Sequence, residues 1–498
     1  MAAQYLAAQG INLDAKMARI QFAGAAPDSS LSSRVGPLKV RPYTRLDTVL
    51  NATLPCTSPG TLWDISILGG RIKSATAHDP STLQAQIENV ATTIDAHGAL
   101  VGPALCHPHI HLDKPYLLSH PKYSHLQIQR GDFAEAMELT NKAKKNFAHD
   151  DLCERGQRVV DESVIAGVTS MRAFVEVDPI VGMTCLDAGK ELKDKARDRC
   201  EIQLCAFAQL PLFSGHEDSG EEMRSLVESA AQRPETHVVG STPYVEGDRD
   251  AMKRNVAWLV DLALTTQKHI DFHLDYNLDA DTEPLIWFVI ETLKFKAWTS
   301  KTNKTIVLGH CTRLCLFTDA EWQRLKHEIA DLPISFVGLP TSDLFMMRTE
   351  NQVRGTLPIP RMIKELGLNA AVGINNVGNA FTPQGCCDPL SVASMCVGVY
   401  QAGTVSDAEM LYECISTRAR AAIGLVDTSS YEATELDTKE AHSKLPLHLN
   451  IAHGDKADLV VFAEEEVEWR TRRSISEAVY LHDGARGRRT IKGGVLVE

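Results

Sequence analysis

Three histidines, His107, His109 and His111, alternate with other residues in the stretch CHPHIHLDKPY. The apolar run ALVGPAL precedes them, so they are predicted to end a β-strand. Residues two apart in a strand share a face, and all three imidazoles are therefore expected to point the same way. Imidazole is the commonest nitrogen ligand of metal ions, and two on one strand face can converge on one ion. The motif alone fits equally well a polar strand end whose imidazoles bond to the backbone.

Two further apolar runs end in histidine. His273 closes the run in KHIDFHLDYN, and His310 closes the run in TIVLGHCTRL. In a parallel α/β barrel, the carboxyl ends of the strands form the active face. These two histidines are therefore predicted to meet His109 and His111 at one metal site. His269, at the other end of its run, is predicted to be structural.

The middle of the chain, residues 101–425, alternates short runs rich in β-branched residues with longer helical patterns, which predicts a (β/α)8 TIM-type barrel. The eight runs are ALCHPHIH, GVTSMRAFVEV, EIQLCAFAQL, HVVGSTPY, HIDFHLD, TIVLGHC, ISFVGLP and NAAVGIN. Segments 36–100 and 447–498 are rich in strand patterns and are predicted to pair into a small β-sandwich domain. Residues 1–35 are predicted to form an N-terminal extension, and residues 426–446 a surface insertion.

Composition narrows the class of partner. A net charge of −13 over 498 residues argues against a nucleic-acid surface or an anionic membrane patch, both of which need clustered Lys and Arg. The sequence shows neither a long apolar span nor a signal-peptide pattern, and its 12 cysteines include no C-x-x-C pair. We therefore expect a cytoplasmic protein with reduced thiols that acts on a small-molecule substrate, without nucleic-acid or membrane partners. A homo-oligomer is left open.

The ordered set GPALCHPHIHLDK, AFAQL, HLDYN, GHCTR and VGINNV resembles the cytosine deaminase branch of the amidohydrolase superfamily, which includes N-isopropylammelide hydrolase-like proteins. The resemblance runs from about residue 60 to the C-terminus. It implies one divalent metal ion, zinc or iron(II), held by His109, His111 and His273. It also implies that His310 polarises the attacking water or the developing oxyanion, and that Gln209 binds a substrate ring or carbonyl. A satisfied polar residue at a strand end is an equal alternative for Gln209.

The sequence departs from that branch at residues that handle protons. Asn375 stands where the family has a metal-binding aspartate that accepts a proton from water, and an amide cannot accept that proton. Tyr276 replaces a usual glutamate; its phenol can donate a proton but is a poor shuttle near neutral pH. Phe174 replaces a histidine of the second strand. Cytosine deamination itself is therefore not expected, although Asn375, Tyr276 and His310 remain the catalytic candidates.

Other residues near these motifs carry more than one interpretation. Asp343, in GLPTSDLF, could contact substrate or take over proton transfer, or it could be an exposed loop carboxylate that caps the next helix. His107 occupies a position that is usually acidic in the family and is predicted to neighbour the metal site without binding metal. Asp113 and Lys114 are predicted to form an ion pair that fixes their loop.

The combined pattern predicts a metal-dependent hydrolase acting on a non-peptide C–N bond of a cyclic amide, amidine, imine or amino-heterocycle. A bound divalent ion lowers the pKa of water to about 7 even where no strong external base is present. One alternative is a non-hydrolytic lyase, cyclase or isomerase in which the metal acts as a Lewis acid and Tyr276 donates a proton. A second alternative is a catalytically silent homologue that binds a ligand.

Overall fold

The computed structural model of the chain describes residues 44–80, 92–214, 220–349, 355–425, 449–463, 468–484 and 487–497. These residues belong to one compact unit. The extension predicted at residues 1–35 and the insertion predicted at residues 426–446 lie outside the described residues. Within the described ranges, no helix is both long enough and apolar enough to cross a membrane.

The strands fall into one large sheet and two small ones. The described strands are β1 (Thr44–Arg45), β2 (Thr48–Ala52), β3 (Trp63–Leu68), β4 (Arg71–Ala77), β5 (Thr93–Asp95), β6 (Val101–Pro103), β7 (Leu105–His111), β8 (Val168–Glu176), β9 (Glu201–Ala208), β10 (Thr236–Ser241), β11 (His269–Leu274), β12 (Ile306–His310), β13 (Ile334–Gly338), β14 (Ala370–Val372), β15 (Leu459–Phe462), β16 (Arg488–Lys492) and β17 (Val495–Leu496). The large sheet contains β7 to β14 in chain order.

All neighbouring strands of the large sheet are parallel, and all eight strands predicted from the sequence are present. The sheet closes on itself beyond β14. The His111 N–H donates to the Asn375 carbonyl at 2.9 Å, and the Asn375 N–H donates to the His109 carbonyl at 3.2 Å. The predicted TIM-type barrel is therefore confirmed, and its seam lies at the predicted metal ligands.

A β-bulge in β7 changes the orientation of its histidines. His107 pairs with Met171 of β8 but Ile110 pairs with Ala173, so β7 carries one extra residue between these pairs. Pro108, which cannot donate a ladder hydrogen bond, falls at this point. The His107 ring consequently meets Ser163 outside the barrel, with 3.0 Å between Nε2 and Oγ. The expectation that all three imidazoles share one face was wrong, because strict alternation does not survive an inserted residue.

The two small sheets are built from both ends of the chain. One has the order β1-β17-β16-β15-β6 and the other the order β4-β3-β2-β5. Their buried apolar residues form a core separate from that of the barrel. Strand β6 pairs with β15, so residues 101–103, which the predicted boundary assigns to the barrel, lie in a small sheet instead.

The helices pack around the outside of the barrel. They are α1 (Phe133–Lys144), α2 (His149–Ile165), α3 (Thr184–Ala196), α4 (Glu221–Ala231), α5 (Arg249–Thr266), α6 (Ile286–Phe295), α7 (Trp298–Lys301), α8 (Asp319–Ile329), α9 (Pro340–Met346), α10 (Ile359–Lys364), α11 (Pro389–Val399), α12 (Val405–Cys414), α13 (Thr417–Ala422) and α14 (Ile475–Tyr480). Because the barrel strands are covered on both faces, they read as continuous apolar runs rather than as alternating ones.

Asp388 links the barrel to the C-terminal segment. Its carboxylate caps α11 by accepting the Leu390 N–H at 3.0 Å. It also accepts from Arg488 Nη1 at 2.8 Å and contacts His482 Nε2 at 2.9 Å. Burial alone would raise the pKa of Asp388, but Arg488 and His482 outweigh it and hold the pKa below its usual value.

We expect Asp388→Asn to destabilise the protein by about 3 kcal/mol at pH 7, because Arg488 is left buried without its counter-charge. The native pKa is depressed, so the stabilisation is present above the ordinary value of 3.8 and is lost as the pH falls through the native pKa. Urea unfolding from pH 7 to pH 3 should therefore show a gap between wild type and variant that is constant down to about pH 5 and narrows below about pH 4.

The matched control is Asp319→Asn, which removes an exposed carboxylate paired with Arg361. That change should cost less than about 1 kcal/mol. Equal costs for the two variants, or a gap that does not depend on pH, would show that Asp388 does not link the two segments electrostatically.

Candidate active site

Four imidazoles converge at the carboxyl ends of β7, β11 and β12: His109, His111, His273 and His310, each at most 3% exposed. The Nε2 atoms of His111 and His273 lie 3.3 Å apart. Donor atoms of His109, His273 and His310 all lie within 4.8 Å of one another. Tetrahedral zinc with bonds of about 2.0–2.1 Å places its nitrogen ligands roughly 3.4 Å apart. The structure thus brings two of the predicted ligands, His109 and His273, into one group of donors with His310. The third predicted ligand, His111, contacts His273 but does not belong to that group.

The chemistry of these side chains fits a divalent metal. Both ring nitrogens of His109, and Nδ1 of His111 and of His273, are buried without a hydrogen-bond partner. Buried polar atoms normally have partners, and this concentration of unpaired nitrogens suits the coordination of a cation. Burial, reinforced by nearby positive charges, lowers the pKa of all three imidazoles well below the usual value. The neutral rings are therefore free to offer lone pairs to a cation.

Asp271 lies near the His109 ring inside the barrel. Its Oδ1 lies 4.0 Å from His109 Nδ1, while Oδ2 accepts from Arg172 Nη1 at 2.9 Å. Burial raises the pKa of Asp271 to about 7, with Arg172 opposing the rise. At 4.0 Å the two groups are too far apart for a hydrogen bond, so Asp271 acts on the imidazole only through its charge. Asp271 was missed in the sequence, although it lies two residues before His273 and its side chain therefore shares that strand face.

Gly309 provides space for the His109 ring. A Cβ atom at this position would lie 3.2 Å from His109 Cε1 and 3.3 Å from Nδ1. Any side chain at residue 309 would therefore press against the imidazole. The glycine before His310 in TIVLGHC is explained by this close approach.

His310 and Asp343 form a buried imidazole–carboxylate pair. His310 Nδ1 lies 2.8 Å from Asp343 Oδ1. The other oxygen, Oδ2, accepts from the Thr356 hydroxyl at 2.8 Å and from the Leu339 N–H at 3.1 Å. Burial raises the pKa of Asp343, and its contact with His310 lowers it, leaving the pKa above its usual value. Asp343 is fully buried, so its interpretation as an exposed loop carboxylate was wrong.

Asn375 lies at the barrel seam with a φ of 69°, in the left-handed region that Asn and Asp adopt more readily than other non-glycine residues. Its Nδ2 donates to Ser342 Oγ at 2.7 Å. Its Oδ1 is buried without a partner. The amide oxygen is thus available beside His109, where the family resemblance implied a carboxylate.

Tyr276 packs over His310. The ring centroids are 4.0 Å apart and the ring planes are inclined by 34°. Burial raises the pKa of Tyr276 well above the usual value, and the charge of Asp343 adds to the shift. The phenol therefore remains protonated at neutral pH, which makes it a hydrogen-bond donor.

Gln209 belongs to a buried polar network that also includes Lys114. Lys114 Nζ donates to Gln209 Oε1 at 3.3 Å and to Glu176 Oε1 at 2.5 Å. Glu176 also binds Lys144. Asp113 does not form the predicted ion pair with Lys114, since its carboxylate accepts the Glu176 N–H at 2.8 Å. The ion pair of Lys114 with Glu176 joins β8 to the loop after β7, and adjacency in the sequence gave no sign of it.

A group of aromatic rings lies next to the histidines, joined to them by Tyr276, which packs on His310. Phe133 of α1 contacts Tyr244, Tyr276 and Phe381, with ring centroids 5.8–6.0 Å apart. A cavity of about 390 Å³ opens beside these rings and is also lined by Met347. Four separate segments contribute the rings, so no local motif could have shown them.

Phe174 lies beneath this space, with its ring centroid 4.1 Å from that of His109. The side chain is fully buried among the histidines. Where the resemblance implies a histidine on the second strand, the chain therefore presents a hydrocarbon wall.

No family model matches the chain. It is 23% identical over 442 residues to N-isopropylammelide isopropyl amidohydrolase of Pseudomonas sp. strain ADP, covering 88% of this chain and 95% of that protein. The fold matches 5-methylcytosine deaminase from Klebsiella pneumoniae with a TM-score of 0.73 and 20% identity, over 91% of this chain and 97% of that one. It also matches an adenosine deaminase from Xanthomonas campestris with bound zinc, with a TM-score of 0.60 and 14% identity, over 91% and 94% of the two chains.

These likenesses extend over most of each chain, and those to the solved structures establish the shared fold. Together with the distant sequence relative, they confirm the predicted resemblance to the cytosine deaminase branch of the amidohydrolase superfamily. The chain thus has the barrel fold of these proteins, with a cluster of buried histidines at the carboxyl ends of its strands.

We expect the double substitution His109→Ala and His111→Ala to lower the bound metal by about one ion per chain, because it removes neighbouring donors of the barrel site. Elemental analysis of purified protein after dialysis should show the loss. His97→Ala removes an exposed imidazole and should leave metal content unchanged. Unchanged metal content in the double variant would contradict a barrel metal site.

Proposed function

We propose that the protein is a metal-dependent hydrolase that cleaves a non-peptide C–N bond in a planar nitrogen heterocycle or a cyclic amide, amidine or imine. The observation that carries the proposal is the group of buried imidazoles with unpaired nitrogens next to Tyr276, which packs on His310 and lines the cavity. The polar group supplies catalytic donors, and the flat apolar walls suit a planar ring. The activities of the relative and of the structural neighbours support this reaction class.

His109, His111 and His273 would hold the ion, which we propose to be zinc or iron(II). Such an ion polarises a substrate carbonyl or imine and lowers the pKa of water. The Asn375 oxygen, unpaired beside these rings, can accept a hydrogen bond or add a weak ligand. It cannot accept a proton, so the chain needs another group for that role.

We assign proton handling to His310. Its Nδ1 is engaged by Asp343 at 2.8 Å, which leaves Nε2 on the side of the other histidines. A carboxylate on one ring nitrogen fixes the tautomer and stabilises the protonated ring, which is what a general base requires. In this scheme Asp343 is a positioning residue that acts through His310. Asn375 stands where the family resemblance implies an aspartate, so we place the base on His310 at the end of β12, the sixth strand of the barrel.

Tyr276 and Gln209 would orient the substrate. Tyr276 stays protonated and lies over His310, so it can donate a hydrogen bond to a ring nitrogen or carbonyl oxygen. Gln209 is held by Lys114 through its amide oxygen, and it also hydrogen-bonds the buried Tyr244, which lines the cavity. Tyr276 lines the cavity and can bind a ligand acceptor directly, and Gln209 would act through Tyr244, which lines the same cavity.

The proposal is tested on a panel of aminopyrimidines, N-alkylamino-triazines and cyclic amides, with zinc- and iron-loaded protein. We expect metal-dependent release of ammonia or amine, or ring opening, from at least one class. We also expect Asn375→Asp to raise that rate at least about tenfold, because it restores a base beside the histidines. The left-handed backbone at residue 375 tolerates aspartate as it does asparagine.

Two other outcomes would contradict the proposal. Tight binding of a panel member without turnover by either protein would favour a ligand-binding homologue. If instead a native reaction without water is found and Asn375→Asp depresses it, the site is a lyase, cyclase or isomerase that uses the protonated Tyr276.

We expect Asp343→Asn to lower kcat by roughly 10²-fold with little change in KM, since the amide no longer stabilises a protonated His310. Steady-state kinetics on the best panel substrate measures the split. Thr356→Val is the matched control, because it removes one hydrogen bond to Asp343 but leaves the contact with His310 intact. A loss confined to KM, or equal losses in the two variants, would contradict the positioning role.

A further inference from the structure

A second group of metal-binding side chains lies outside the barrel, where α2 packs against α3. His149 is the first residue of α2, and Cys153 follows one helical turn later. Residues four apart on a helix lie on the same face. Glu191 of α3 completes the group, so three different donor types, nitrogen, sulfur and oxygen, meet between two helices.

The distances suit a single ion. His149 Nε2 lies 3.5 Å from Glu191 Oε2 and 4.0 Å from Cys153 Sγ. The three donors lie within 4.8 Å of one another. Tetrahedral zinc, with bonds of about 2.0–2.3 Å to such donors, separates them by roughly 3.3–3.8 Å. The side chains would need to contract by no more than about 1 Å, which small rotations about their terminal bonds can provide.

Neighbouring charges leave the required atoms available. Asp150 Oδ1 lies 3.9 Å from His149 Nδ1, too far for a hydrogen bond, and Cys153 Sγ lies 3.8 Å from the same nitrogen. Nε2 is the ring nitrogen that faces Glu191. Lys195 binds Oε1 of Glu191 at 2.5 Å, which leaves Oε2 directed at His149. Cys153 offers only Sγ, which already hydrogen-bonds Glu191, so all three donors meet at a common point.

We propose that His149 Nε2, Cys153 Sγ and Glu191 Oε2 bind a zinc ion, with water as the fourth ligand. Zinc accepts this mixture of nitrogen, sulfur and oxygen donors. On binding, the Cys153 thiol releases its proton to solvent, and the thiolate and the Glu191 carboxylate balance the charge of the ion. The side chains of His149 and Glu191 are 41% and 40% exposed, so the fourth position faces water. The site ties the start of α2 to α3 and does not depend on the barrel chemistry.

Cobalt(II) distinguishes the two sites, because thiolate–cobalt coordination gives a near-ultraviolet charge-transfer absorption that histidine ligands do not give. The full-length protein is stripped of metal and titrated with cobalt(II). We expect this absorption in wild type and in the variant with His109→Ala and His111→Ala, and its loss in Cys153→Ser. Cys386→Ser, which removes an exposed cysteine outside the cluster, should retain it.

Absence of the band in wild type, or its persistence in Cys153→Ser, would overturn the proposal. Neither result would bear on the barrel site, whose proposed ligands contain no sulfur. Circular dichroism of each variant shows whether it is folded, and a misfolded serine variant is replaced by Cys153→Ala.

A second measurement uses the unsubstituted protein. Zinc should slow alkylation of Cys153 by iodoacetamide at least about tenfold, as followed by peptide mass spectrometry, because a ligated thiolate is shielded. His149→Ala and Glu191→Gln should each reduce this protection. An equal alkylation rate with and without zinc would count against the site, whatever the protein catalyses.

Discussion

The arrangement of the candidate site depends on the two backbone hydrogen bonds that close the barrel between its first and last strands. They join His111 to Asn375 and Asn375 to His109, so the bonds that complete the ring also set the positions of two proposed metal ligands. The positive φ of Asn375 is a consequence, since the chain must turn sharply at the seam to make both bonds. The bulge in β7 acts with this closure by turning His107 outward while His109 and His111 face the interior.

The carboxyl groups of the site lie next to imidazole rings and would not contact the proposed ion directly. Asp271 lies 4.0 Å from His109, and Asp343 is hydrogen-bonded to His310 at 2.8 Å. Both carboxyl groups are fully buried. Asn375 adds no charge of its own. A divalent ion held by neutral imidazoles and an amide would keep most of its positive charge, which favours polarisation of a substrate carbonyl or imine over activation of water by a directly neighbouring carboxylate. This distribution explains why the same residues admit a hydrolase and a Lewis-acid enzyme as alternatives.

The cavity lies beside the histidine cluster and shares Tyr276 with it. Phe174 covers one side of the histidines, and Phe133, Tyr244, Tyr276 and Phe381 form the mouth. The network of Lys114 and Glu176 lies at its edge and holds Gln209 in place. Ion pairs buried in this way are costly to desolvate, and they persist where they hold nearby groups in one orientation.

The alternation of apolar runs with helical patterns was enough to predict the eight-stranded barrel, because such periodicity is a local property of the chain. The strand-end positions of His109, His111, His273 and His310 likewise followed from the sequence, since parallel strands present their carboxyl ends on one face. Local pattern could not show the bulge that turns His107 away, or the burial of Asp343 against His310. It also missed the pairing of Lys114 with Glu176 and the approach of Asp271 to His109. Those features depend on contacts between residues far apart in the chain, which only the packing of the closed barrel brings together.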